Sequence, residues 1–165
     1  MRASLCILLR YSYSMKTFQT LAELAACVGQ EVALSDWLPI TQEQINQFAQ
    51  ATGDHQWIHV DPERAKEGPF GAPIAHGFLT LSLLPQFFAS ALHVAQTRMG
   101  VNYGLNKVRF MSPVPVGSSL RARLFLAGAE AIDNGGMQFT WDVTIEREGV
   151  AKPVCVAQSI GRSYP

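Results

Sequence analysis

Charge is what this 165-residue chain has least of. Lys plus Arg and Asp plus Glu come to 13 each, and charged residues make up only 16% of the whole. A cancelled charge supplies no basic field for nucleic acid and no acidic tail, so nucleic acid is not expected as a partner. Cysteine is nearly as scarce. Cys6, Cys27 and Cys155 are widely spaced and form no CxxC or Cys/His ligand pattern, which argues against a disulfide framework or a zinc finger and leaves a reducing cytoplasm as the expected compartment. Long apolar runs are missing too. Leu5–Leu9 is stopped by Arg10, well short of the roughly 18 residues that a membrane span needs, and no small-x-small cleavage site follows to make it a signal peptide. Residues 1–14 read as an extension outside the fold, with Met15 an alternative start, and residues 15–165 as one domain. Repeats, low-complexity segments and dividing linkers are absent.

Apolar residues are what the chain does have, at 48%. That is enough for a core without disulfide or metal. With so little charge to cover the outside, part of the apolar surface is expected at a subunit interface. The first half reads as α-rich. Residues 17–27 form a short helix and 31–38 a first strand or extended segment. A helix over 41–52 carries a capping box, Thr41 with Gln44, an apolar face of Ile45, Phe48 and Ala49, and a terminating Gly53. Asp61 caps one more turn at Pro62–Lys66. Residues 68–73 are loop. His76 to Leu92 is apolar nearly all round and therefore a buried helix, kinked at Pro85. The second half reads as strands over 102–111, 118–132, 136–148 and 151–163, with turns at Asp133–Gly136 and Glu148–Gly149. Phe139, Trp141, Val143 and Ile145 alternate with polar residues, giving that strand one dry face. The class is α+β: one long helix wrapped by an antiparallel sheet.

The chemistry concentrates in Gly53-Asp54-His55-Gln56-Trp57-Ile58-His59 and, further on, His76-Gly77-Phe78. Pro62 disfavours helix at Asp61, so the chain past Gly53 is not a regular helix throughout. Asp54 and His59 then stand at the two ends of a short irregular turn, where their side chains can converge. A carboxylate and an imidazole so placed suit general acid/base work. His55 reads as exposed or supporting. A metal centre from His55, His59, Asp61 and His76 would need loosely spaced ligands unlike a helical His-x3-His pair, so no metal is expected.

Taken together these segments resemble the MaoC-like hydratases, or type 2 enoyl-CoA hydratases, over about residues 16–163. Gly53-Asp54, Ile58-His59 and Ala65 match the family signature in place and spacing. Gln56-Trp57, where Asn-Pro is usual, resembles the wording of the nodulation-protein-N-like branch. Ala72–Thr80 is similar to the start of the family's central helix, and Asn102–Phe110, running into Pro113–Gly117, to the strand after it. The resemblance implies a single hotdog fold with an α-rich overhang before it, usually a dimer whose sheets join edge to edge. It also implies a hydro-lyase of fatty-acid metabolism that reversibly adds water to a trans-2-enoyl-CoA, giving the (3R)-hydroxyacyl-CoA. Coenzyme A is then part of the substrate, and no cofactor is called for. Asp54 and His59 would grip the water. The backbone N–H of Gly77, at the helix mouth, would receive the charge on the thioester oxygen.

Each residue also has a plainer role open to it. Asp54 could cap a turn, and His59 could be a hydrogen-bonded structural histidine. His76 could bond loop backbone and shape the oxyanion site, or only cap the helix. Thr80 is expected as a core threonine bonded to a preceding carbonyl. Gln56 and Trp57 are possible site support, and Trp57 could narrow the acyl pocket or cover the dyad. Phe78, Phe87 and Phe88 are expected in the core. Lys107, Arg109, Arg121 and Arg123 are expected on a solvated strand face. Two other functions stay open: an acyl-CoA thioesterase, since fold does not settle activity, and a non-catalytic acyl-thioester binder.

Overall fold

The computed structural model describes residues 15–165, so the expectations for residues 1–14, Cys6 among them, lie outside the described residues. In chain order the elements are β1 (Lys16–Phe18), α1 (Leu21–Ala25), β2 (Gln30–Leu34), β3 (Leu38–Pro39), α2 (Gln42–Thr52), α3 (Trp57–Val60), α4 (Pro62–Lys66), α5 (Gly77–Ser82), α6 (Leu84–Ala91), β4 (Leu92–Val94), β5 (Met99–Phe110), β6 (Ser119–Ala131), β7 (Met137–Arg147) and β8 (Cys155–Tyr164).

Period-two alternation builds the sheet. Leu120, Ala122, Leu124 and Leu126 of β6 and Phe139, Trp141, Val143 and Ile145 of β7 all point to one side and are buried. Asn134 and Gly135 turn the hairpin between them in the left-handed region, at φ 60° and 69°. The strands run antiparallel in the order β2-β6-β7-β8-β5, with β3 beside the start of β6. Leu79, Leu84, Phe87 and Ala91 from the two central helices join the same core, and Phe88 meets Trp141 edge-on at 5.3 Å. The result is an antiparallel sheet around a helical core, preceded by α2, α3 and α4.

Four local expectations need correction. The segment 17–27 is not one helix. Its start is β1, pairing in parallel with β4, and the helix begins only after Thr20, whose hydroxyl accepts from Glu23 N–H at 3.1 Å. The central helix is two short helices rather than one kinked rod. The break falls at Leu83, which puts Pro85 in the first turn of α6, where a missing N–H forfeits no intrahelical bond. Leu92 leaves the helix because β4 is drawn into its pairing with β1. Phe78 is 68% exposed, not core. Residues 151–154 are a connection rather than strand, since Pro153 has no N–H for a ladder.

β5 closes one edge of the sheet. Its Met99, Val101, Tyr103, Leu105 and Phe110 are 41% to 55% exposed, an apolar stripe on an edge that no other strand of the described residues pairs. Among the described residues no helix is long and apolar enough to cross a membrane.

Candidate active site

The site is assembled where α2 gives out. Gly53 ends that helix in the left-handed conformation, φ 80°, with its N–H on Ala49 O at 2.8 Å. Asp54 follows on exposed, irregular chain, and its Oδ1 accepts from Gln56 N–H at 3.4 Å, the turn-capping role open to it from sequence. One turn of helix, α3, then carries His59 into the interior, where it is 6% exposed. A carbonyl only accepts, so the contact of His59 Nδ1 with Ile74 O at 2.7 Å places the proton on Nδ1. Neutral His59 is left with a bare, basic Nε2. Burial, the largest influence, lowers the pKa of His59 from 6.5. The Ile74 carbonyl raises it, His76 lowers it and Asp54 raises it.

His76 crosses over from the mouth of α5. It is buried, 3% exposed, and its Nε2–H donates to the main-chain oxygen of Asp54 at 2.9 Å. Its ring stacks on His59 with centroids 3.8 Å apart, and Phe48 lies on it at 5.0 Å. It therefore bonds loop backbone and does not cap α5 with its side chain. Its Nδ1 is buried without a partner. A carboxylate oxygen of Asp54 and one ring nitrogen each of His59 and His76 lie within 4.8 Å of one another, a separation that one water molecule spans.

His59, Gly77 and Thr80 line a cleft of about 360 Å³ together with Phe70, Phe110 and Met111, within the range of small-molecule sites. Asp54 and His76 are not among the residues that line it. Thr80 is buried, with its hydroxyl 3.5 Å from His76 O, so it both lines the cleft and bonds the preceding turn. Gly77 opens α5, and a side chain there would meet the Phe110 ring at 2.9 Å. A larger hollow of about 460 Å³, between Pro115–Ser119 and Arg147–Val150, shares none of these residues.

Other sequence candidates lie elsewhere. Trp57 is not among the residues that line the cleft. It packs on Gly68, under the Arg64 guanidinium at 4.4 Å. Gln56 contributes its N–H to Asp54 while its side chain is exposed. His55 is exposed, and Asp61 caps α4 by accepting from Arg64 N–H at 3.1 Å. The trio brought together is thus Asp54, His59 and His76, not the set weighed as metal ligands from spacing. Arg121 and Arg123 are held by Glu146 and Glu31 on the sheet. Sequence reading overlooked Ile74, whose carbonyl orients His59, and Phe48, which backs His76. A main-chain acceptor leaves no mark in side-chain identity, and Phe48 reads simply as part of the α2 apolar face.

The architecture is the hotdog fold. It is similar to that of the (R)-hydratase from A. caviae involved in PHA biosynthesis, at TM-score 0.65 and 22% identity over 84% of this chain and 96% of that one. The family follows from the sequence comparisons. Residues 23–147 match the model for the MaoC like domain, and the chain belongs to the MaoC-like dehydratase family, a family of hydro-lyases. It is 58% identical over 148 residues to 3-hydroxyacyl-thioester dehydratase Z of Mycobacterium tuberculosis (strain ATCC 25618 / H37Rv), covering 90% of this chain and 98% of the relative. It is 46% identical over 143 residues to Nodulation protein N of Rhizobium leguminosarum bv. viciae, covering 86% and 89%.

Proposed function

We propose that this chain is an (R)-specific enoyl-CoA hydratase/dehydratase, adding water reversibly to a trans-2-enoyl-CoA to give the (3R)-hydroxyacyl-CoA. The observation that carries it is the Asp54 carboxylate and a His59 ring nitrogen within 4.8 Å, with His59 on the cleft wall and its tautomer set by Ile74 O. One water between them donates to the Asp54 carboxylate and to His59 Nε2. As its oxygen bonds C3, one proton passes to the dyad and the C2=C3 electrons move onto the thioester oxygen. The enolate then takes that proton at C2, and the site ends as it began. Gly77 N–H, lacking an intrahelical partner at the first position of α5, is assigned to the developing oxyanion. His76 positions the pair by holding the Asp54 main chain and stacking on His59. Buried Cys155, its thiol pushed up to about 11, is no candidate nucleophile.

The name of the 58% identical mycobacterial relative supports this chemistry. The exposed apolar edge of β5 supports a homodimer joined through that edge. Among the described residues Cys27 and Cys155 are free thiols, which accords with a cytoplasmic setting.

The test follows the loss of enoyl absorbance from a short trans-2-enoyl-CoA, with free thiol assayed in parallel. Hydration by the parent, lost in Asp54→Asn and His59→Ala, is expected. Full activity in both variants, or thiol release in place of hydration, overturns the reading.

A further inference from the structure

Among the described residues, the site keeps one fully buried imidazole nitrogen without a hydrogen-bond partner. The buried Nδ1 of His76 carries a lone pair with no donor to meet it. A buried acceptor left so is unfavourable, and its lone pair is free to take a ligand.

His76 is also one corner of a triangle. The carboxylate of Asp54 and a nitrogen of each imidazole fit within 4.8 Å. Each ring also donates one N–H to a main-chain carbonyl, His59 Nδ1 to Ile74 O at 2.7 Å and His76 Nε2 to Asp54 O at 2.9 Å, which leaves His59 Nε2 and His76 Nδ1 as the lone-pair nitrogens. Metal-binding histidines are held in this way, with the far N–H on a carbonyl that fixes the ring and sharpens the lone pair. Two imidazoles and one carboxylate suit a first-row dication better than Mg²⁺ or Ca²⁺, which prefer all-oxygen shells.

We propose that Asp54, His59 and His76 bind a Zn²⁺-class transition-metal ion that takes the place of the nucleophilic water and so inhibits the enzyme. The rings are stacked, 29° apart in plane, rather than aimed at a common point. Coordination therefore requires the rings to tilt about these hydrogen bonds, which weakens the site relative to a preformed structural centre and leaves the ion exchangeable. That the ion blocks turnover rests on the hydratase reading; that it binds does not.

Calorimetric titration of the full chain with Zn²⁺ in chelator-cleared buffer tests binding, and Co²⁺ titration followed by visible absorption reports nitrogen coordination. One saturable ion per chain is expected, weakened at least about tenfold in Asp54→Asn. Asp54 is exposed, so this variant is expected to fold. His76→Gln, checked by circular dichroism, is expected to weaken binding and to alter the Co²⁺ spectrum. In the hydration assay, Zn²⁺ is expected to inhibit the parent reversibly, with EDTA restoring activity. Binding of equal strength in Asp54→Asn, or no saturable binding by the parent, overturns the site. Binding without any hydratase activity in metal-free protein leaves the site standing and overturns the hydratase reading instead. Hydration untouched by a demonstrably bound ion overturns the inhibition.

Discussion

The paired strands β6 and β7 and the segment from Gly53 to Gly77 lie in the same fold but are held by different forces. Eight alternating side chains of the hairpin, from Leu120 to Ile145, are at most 5% exposed. Dispersion and desolvation hold that wall, and no single contact in it is special. The segment contains two helices of four and five residues, too short to stand by propensity. Specific polar contacts fix it instead: His59 to Ile74 O, His76 to Asp54 O, Ile74 N–H to Ile58 O at 3.0 Å and Ala75 N–H to Val114 O at 2.8 Å. A protein arranged so lets its wall supply stability while a sparsely bonded segment sets the positions of reacting groups.

The largest expected effect breaks that division on the site side. Asp54→Asn and His59→Ala are each expected to lower hydration about 10²- to 10⁴-fold. Asp54→Asn should do so with its urea midpoint close to the parent's, because Asp54 is exposed. A large fall in stability in Asp54→Asn would make the residue a structural cap and erase the contrast. The wall gives the opposite signature. Leu124, fully buried, is expected to cost about 2–5 kcal/mol when cut to Ala, read by urea denaturation, with turnover per folded molecule retained. Loss of turnover without loss of stability would show that the wall reaches the chemistry.

The two regions also differed in how far sequence disclosed them. The hairpin was legible because side-chain alternation and the Asn-Gly turn are local signals, and the structure has strands and turn within a residue or two of expectation. The Asp54/His59 pairing was legible through spacing and family wording. The division of the central helix was not placed correctly, since Pro85 marks trouble while the break itself sits at Leu83. β1 was hidden because its partner, β4, lies 76 residues away across the fold, as Lys16 opposite Leu92 shows. The contact of His76 with Asp54 is likewise a main-chain acceptor met 22 residues off. Periodicity carries no information about such meetings.

A smaller effect sharpens the contrast within the site segment, where one packing contact does matter. A methyl at Gly68 would stand 2.9 Å from the Trp57 ring and 3.2 Å from Ala65 O. The ring, already under Arg64, has to shift. Gly68→Ala is expected to destabilise by about 1–3 kcal/mol, with the difference in thermal midpoint shrinking in the Trp57→Leu background. An equal difference in both backgrounds would place the strain elsewhere.

The smallest expected effect is a pH slope. Burial holds the folded-state pKa of His59 below 6.5, so in metal-free buffer the folded chain binds fewer protons than the unfolded one. The contribution is present in full above about 6.5 and is lost as pH falls from there to the folded value. The Ile74 carbonyl and the Asp54 charge pull the other way and keep the loss small. Asp54→Asn removes one of those opposing influences, so the window is expected to extend to lower pH and the slope to grow. Urea midpoints of parent, Asp54→Asn and His59→Asn through this range separate His59 from the other histidines. A parent slope that survives in His59→Asn would assign it to another histidine, and the site segment would then owe less to this one buried ring than its hydrogen bond suggests.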